Sequence, residues 1–192
     1  MSLVNREISE SAINNINIPN GYEKVNSINV FDPKEDLNIK LLIVGTITPP
    51  DGAGYYYTSK GNRIYGYIDE ALGKTELKAN KLKLRDAQDA KQKEACISAI
   101  KDDLSKVGIA FIDIAKTVIR KKNSSADEDI KNIVLDYDAF RCIKHVDNII
   151  CNSNDALECF NRITNNKYNP IPLSQRRGKK TEWLDAIRKY TN

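Results

Sequence analysis

Four short apolar runs interrupt an otherwise polar chain: Leu41-Leu42-Ile43-Val44, Ile109-Ala110-Phe111-Ile112, Asn148-Ile149-Ile150-Cys151 and Asn169-Pro170-Ile171-Pro172-Leu173. Each is near-continuous rather than alternating, as expected for strands covered on both faces in a parallel sheet. Two prolines in the last run place it at a sheet edge, where a missing amide donor breaks no ladder. Between the runs, helical spacing predicts helices over 64–72, 137–143, 155–163 and 181–190, and a long charged helical segment over 76–106. In the C-terminal helix Trp183, Leu184, Ile187 and Tyr190 share one face, which reads as core. Asn152 or Ser153 can cap the helix after the third run, with Asp155 well placed against the helix dipole.

Strands alternating with helices, without internal repeats, predict an α/β fold: a three-layer α/β/α arrangement around a central four-stranded parallel sheet. One domain, 1–192, is expected, with residues 1–39 as an N-terminal arm packed on it. Ligands of such sheets bind at the carboxyl ends of the strands. The segments of interest are therefore 45–62, 113–127, 152–155 and 173–180.

Composition narrows the class. With 192 residues, 41% hydrophobic and 29% charged, the chain can close one core and has no apolar run long enough for a membrane span. No charged-then-apolar leader opens it, so the cytoplasm is expected, and a monomer is expected as well. Cys96, Cys142, Cys151 and Cys159 form no Cys-x-x-Cys pair and meet no histidine at zinc-finger spacing, which argues against a structural zinc or an iron-sulfur cluster. His145, the lone histidine, reads as a surface residue.

The formal charge of +4 is compatible with a nucleic-acid partner, and its distribution is more informative. Basic residues of 74–93 are mixed with acids and read as a solvated helix face. Arg120-Lys121-Lys122 and Arg176-Arg177-Gly178-Lys179-Lys180 follow apparent strands and are better phosphate ligands.

Gly45-Thr46-Ile47-Thr48-Pro49-Pro50-Asp51-Gly52-Ala53-Gly54 follows the first strand. It contains no Gly-x-Gly-x-x-Gly, and Gly73-Lys74-Thr75 lacks the upstream glycine of a P-loop, which disfavours nucleoside triphosphate binding. What remains is a turn whose backbone amides could hold a carbonyl oxygen or a developing anion. Beyond it stands Tyr55-Tyr56-Tyr57-Thr58-Ser59-Lys60-Gly61-Asn62-Arg63-Ile64-Tyr65. This block resembles the uracil-DNA glycosylase superfamily, most closely its mismatch-specific and hypoxanthine-type branches: a strand ending in Gly-Thr, an aromatic pair, a spacer, Asn-Arg and an aromatic helix. Tyr56, Tyr57, Asn62, Arg63 and Tyr65 carry the match. Similar stretches continue at Phe31-Asp32-Pro33, at Asp113, Arg120, Ser124, Ser125 and Asp127, and at Pro172-Leu173-Ser174 with Thr181-Glu182-Trp183, so the resemblance spans 30–190. The first loop departs from it: Ile47-Thr48 replaces the usual residues, Ser59-Lys60 replaces His-Pro, and only Asp51 could serve as a first-loop catalytic carboxylate.

The resemblance implies a DNA glycosylase that flips out a deaminated base, hypoxanthine or uracil, and hydrolyses its glycosidic bond without metal or cofactor. It implies Asn62 and Asp113 as catalytic residues, Asn62 reading the base edge or orienting water and Asp113 orienting base or water. Thr46, Ile47, Thr48, Tyr56 and Tyr57 would form the base pocket, with Tyr56 or Tyr57 stacking on the base and the amides of Thr46 and Ile47 receiving the leaving anion. Arg63, Arg120, Lys121, Ser125, Leu173, Ser174, Gln175, Arg176 and Arg177 would contact DNA, Leu173 or Gln175 filling the gap left by the base. The residues also admit blander roles: tyrosines in the core, Asn62 as a helix cap, Asp113 as a loop cap. A non-catalytic nucleic-acid-binding module and a nucleoside hydrolase remain the alternative functions.

Overall fold

The near-continuous apolar runs become the strands of a parallel sheet in a computed structural model, which describes residues 2–28, 38–49, 52–143, 146–174 and 178–191. In chain order the elements are α1 (Glu10–Asn15), β1 (Tyr22–Asn26), β2 (Leu41–Gly45), α2 (Ile64–Leu72), α3 (Leu77–Asp86), α4 (Ala90–Val107), β3 (Ile109–Asp113), β4 (Ala115–Lys121), β5 (Ile130–Leu135), β6 (Ile149–Cys151), α5 (Asn154–Thr164), β7 (Ile171–Pro172) and α6 (Lys180–Thr191). Short 3-10 turns lie at Leu3–Arg6, Asp127–Asp129 and Ala139–Cys142.

The parallel sheet has the order β3-β2-β6-β7, with the proline-containing strand at the edge. Successive side chains of a strand point to opposite faces, so each strand feeds two cores. Leu41, Ile43, Ile109, Phe111 and Ile150 pack with α2, α3, α4 and α6 through Ile64, Ile68, Leu84, Leu104 and Trp183. Leu42, Val44, Ile112, Ile149 and Cys151 pack on the other side with α5, through Cys159 and Phe160, and with Leu3.

That second face is also covered by an element absent from the sequence expectation, a three-stranded antiparallel sheet of order β1-β4-β5. Its Val118, Ile133 and Leu135 complete the core, and β1 draws the supposed arm into the sheet by pairing Tyr22 with Lys121 and Asn26 with Thr117. The segment after β3 is therefore a hairpin rather than a loop. Two further differences have local causes. The charged segment 76–106 is two helices, because Ala87 is extended and Asp89 caps a new start by accepting from the Gln92 amide at 2.8 Å. The helix expected over 137–143 shrinks to one 3-10 turn, begun where Asp136 accepts from the Ala139 amide.

The connections leave the sheet in opposite senses. From β2 the chain goes to helices on the first face and returns as β3; from β6 it goes to α5 on the second face and returns as β7. The carboxyl ends of β2 and β6 thus flank a topological switch point, where the diverging loops of an open α/β sheet leave a crevice.

α6 is bolted down by Trp183, which is fully buried and donates its indole N–H to the Ser174 carbonyl at 3.1 Å. Trp183→Ala is expected to cost about 3–5 kcal/mol, as for large-to-small changes in other cores, read as a lower midpoint in urea denaturation.

Candidate active site

Strand pairing is prolonged beyond β2: the Ile114 amide donates to the Gly45 carbonyl at 2.9 Å and the Ala115 amide to the Thr46 carbonyl at 3.0 Å. The ends of β2 and β3 are thereby held side by side, with Gly45 opposite Asp113. Asp113 then receives two hydrogen bonds on one oxygen, from the Thr48 amide at 2.6 Å and the Thr48 hydroxyl at 2.8 Å. Gly45 is required here because a Cβ would stand 2.8 Å from the Tyr57 hydroxyl and 3.0 Å from the second Asp113 oxygen.

A second carboxylate arrives from the hairpin tip. Asp127 accepts from the Thr46 hydroxyl at 2.8 Å and from the Ser153 hydroxyl at 3.0 Å, so it bridges the loops after β2 and β6. Ser153 also caps α5, accepting from the Ala156 amide at 3.0 Å. The tip is supported by Arg120, which donates to the Ala126 carbonyl at 3.3 Å.

The tyrosine block forms the wall facing these carboxylates. Tyr56 is 2% exposed and lies in an aromatic cluster around Phe111. Tyr57 packs edge-on to Phe111 at 4.9 Å, and its backbone is left-handed, φ 55°, a conformation that costs a bulky residue free energy. The Tyr57 hydroxyl is buried and finds no hydrogen-bond partner among the described residues. Behind the wall, Lys81 donates to the Asn62 carbonyl at 2.7 Å and Arg85 to the Thr58 carbonyl at 2.8 Å, which fixes the loop. The Asn62 side-chain oxygen accepts from the Ile64 amide at 3.0 Å. With that oxygen engaged at the helix start, the two N–H donors of Asn62 are the groups left to offer a ligand.

Together these groups line a cleft of about 420 Å³ at the switch point, among them Thr46, Ile47, Thr48, Tyr57, Asn62, Asp113, Ser125, Asp127, Asn152 and Ser153. Burial pushes the Asp113 carboxyl up to about 6, against the pull of the two Thr48 hydrogen bonds and with a smaller push from Asp127. Asp127 is also raised, chiefly by desolvation, although Thr46 and Ser153 favour its charged form. Tyr57 is held well above its ordinary value, first by burial and then by the Asp113 charge, so its hydroxyl keeps its proton and can donate.

Of the residues singled out in the sequence, seven meet here: Thr46, Ile47, Thr48, Tyr57, Asn62, Asp113 and Ser125. Others do not. Tyr56 is inside the core, its carbonyl taking the Tyr65 hydroxyl at 2.7 Å, so it is not placed to stack on a ligand in the cleft. Arg120, expected on phosphates, is 1% exposed and serves the hairpin from within. Leu173 is 5% exposed and packed in the first core rather than standing out as a wedge, and the carbonyl of Ser174 is taken by Trp183. Arg63 and Lys121 are exposed and lie outside the cleft lining. Gln175, Arg176, Arg177, Asp51, His145 and Phe31-Asp32-Pro33 lie outside the described residues. Asp127, Asn152 and Ser153 were given no catalytic role in the sequence, although the Ser-Ser-x-Asp turn and the helix cap after β6 marked their neighbourhoods.

Among the described residues no cluster of three or more His, Cys, Asp or Glu side chains is arranged to hold a metal ion, and no helix is long and apolar enough to cross a membrane. The fold is uracil-DNA-glycosylase-like: it is similar to the solution NMR structure of a Methanosarcina acetivorans protein provisionally assigned as a uracil DNA glycosylase, with a TM-score of 0.51 and 19% sequence identity over 82% of this chain and 94% of that one. No family model and no curated protein matches the sequence.

Because folded Asp113 keeps its proton up to about 6 while an unfolded aspartate releases it near 3.8, its contribution to stability is intact below about 3.8 and is lost as pH rises through about 6. Asp113→Asn, which can still accept from Thr48, is expected to stabilise the protein by roughly 1–3 kcal/mol at pH 7 and by much less near pH 4. Urea denaturation at the two pH values checks both the gain and its disappearance.

Proposed function

We propose that this cleft receives a nucleobase extruded from DNA and hydrolyses its N-glycosidic bond, the substrate being a deaminated base, hypoxanthine or uracil, removed as the first step of base excision. The observation that carries the reading is the Tyr57 hydroxyl, which has no hydrogen-bond partner among the described residues and is buried beside Asp113 at the switch point. An unsatisfied buried donor costs about 1–3 kcal/mol. Here it coincides with a left-handed tyrosine and a destabilised carboxylate, and such costs concentrate at sites kept for a ligand.

The donors suit the substrate. Deamination replaces an exocyclic amino group with a carbonyl oxygen, an acceptor that matches the Tyr57 hydroxyl and the Asn62 N–H groups. Asp113, mostly ionised at pH 7, can take a proton from a water molecule as that water's oxygen bonds to C1′ of the sugar. The C1′–N bond breaks and its electron pair leaves with the base, whose developing negative charge faces the Tyr57 and Asn62 donors. The sugar passes through an electron-poor state that the Asp113 and Asp127 carboxylates stabilise by charge, the logic by which paired carboxylates serve other glycosidic cleavages. The similarity of fold to a protein assigned as a uracil DNA glycosylase supports the same reading.

The test is base release from labelled oligonucleotides carrying uracil, hypoxanthine, xanthine or a G·T mismatch. Release is expected, with kcat/KM rising with pH through about 6 as Asp113 ionises, and falling on the order of 100-fold or more in Asp113→Asn. Asn62→Ala is expected to reduce release far more than DNA affinity. Salt-sensitive DNA binding without release would instead mark a non-catalytic binding module, and release from free nucleosides alone a nucleoside hydrolase.

A further inference from the structure

Beside the cleft runs a second and larger depression, about 630 Å³, between α2, α3 and the start of α6. Its lining carries six cations, Lys60, Arg63, Lys78, Lys81, Arg85 and Lys180, and two carboxylates, Asp69 and Glu70. That excess of four equals the formal charge of the entire chain, the charges of the remaining residues summing to zero, so the lining is one locally basic patch of the molecule. The two carboxylates are already engaged. Asp69 accepts from the Leu77 amide at 2.9 Å, the Lys78 amide at 2.8 Å and the Thr75 hydroxyl at 2.6 Å, and Glu70 pairs with Lys180 at 2.7 Å.

We propose that this groove is the track for the sugar-phosphate backbone of the strand whose base enters the cleft, an inference that rests on the base-excision reading above. Continuity is the first support: Asn62 lines both the cleft and the groove. The second is the arrangement of the cations. Lys60 and Arg63 come from the loop before α2, Lys78 from the first turn of α3 and Lys180 from the start of α6, all with exposed side chains. Charges brought by three separate elements line an open trough suited to successive phosphates of an extended strand. Leu82, 54% exposed on the same wall, offers an apolar contact for a sugar or an unstacked base. The third is mechanical. Lys81 and Arg85 sit in the groove yet hold the carbonyls of Asn62 and Thr58, so the wall of the groove is also the back of the tyrosine loop, and a strand seated there bears directly on the segment carrying Tyr57 and Asn62. This revises the expectation that the basic residues of 74–93 form only a solvated helix face.

The test is the salt dependence of affinity for a lesion-free, fluorescein-labelled single-stranded oligonucleotide, followed by anisotropy. Each phosphate neutralised contributes about 0.7 to the slope of log K against log salt for single strands. Lys60→Ala/Arg63→Ala/Lys78→Ala is therefore expected to lower the slope by about 2, whereas Lys91→Ala/Lys93→Ala/Lys101→Ala, which removes the same charge from α4, leaves it unchanged. Lys78→Glu alone, a single exposed change, is expected to move it in the same direction should the triple variant fold poorly by circular dichroism. An unaltered slope, an equal fall in the α4 variant or no oligonucleotide binding at all overturns the groove. The base-release assay separates the two readings. Release with an unaltered slope refutes the groove and leaves base excision standing; a lowered slope without release from any oligonucleotide supports the groove as a binding track and removes the excision chemistry.

Discussion

The pair of hydrogen bonds from Thr48 to Asp113 is the contact around which the cleft is organised. A carboxylate buried between two strand ends is costly in its charged form, and burial wins against both donors, leaving the group at about 6. What the donors achieve is geometric. They fold the first loop back over β3, so that Thr46 can reach Asp127 and the loop walls the crevice rather than leaving it open. Gly45 is the complementary constraint, its missing side chain being the space in which the Tyr57 hydroxyl and Asp113 approach.

The small antiparallel sheet explains why a second carboxylate is present. β4 follows β3 after a single residue, turns away from the parallel sheet and returns as β5, and the intervening tip carries Asp127 to the loops of β2 and β6. Arg120, buried in β4, eases the charged form of Asp127 electrostatically and holds the tip through Ala126. An arginine expected to face phosphates thus acts as a positioning residue, holding the tip that brings Asp127 to the cleft. Burying a guanidinium is costly unless hydrogen bonds and opposite charge offset it, and this tip supplies the Ala126 carbonyl and the nearby Asp127 charge.

The parallel sheet was legible because strands covered on both faces leave continuous apolar runs, and the edge strand because proline cannot complete a ladder. β4 was obscured for the opposite reason: Lys116, Arg120 and Lys121 break its apolar pattern, and the buried charge of Arg120 looked like surface. Within the site, the tyrosine block identified the right loop, but nothing in adjacent tyrosines distinguishes Tyr56, turned into the core, from Tyr57, turned to the cleft. The left-handed backbone at Tyr57 makes that distinction, and local sequence does not encode it visibly. The groove was hidden because Lys78, Lys81 and Arg85 become one wall only when the loop before α2 and the start of α6 supply the other cations.

The charge map favours a division of labour between the two depressions. Asp113 and Asp127 are the charged side chains of the cleft lining and disfavour phosphate there, while six cations against two carboxylates line the adjacent groove. Under the proposed function, a polyanionic strand would be drawn to the groove and kept out of the cleft, leaving the uncharged base as the part of a nucleotide that can enter. The same negative lining that excludes phosphate favours a sugar becoming positive as its base departs. A site built to bind phosphate where the chemistry occurs would have the reverse polarity, and on this ground the arrangement fits glycosidic cleavage better than phosphoryl transfer.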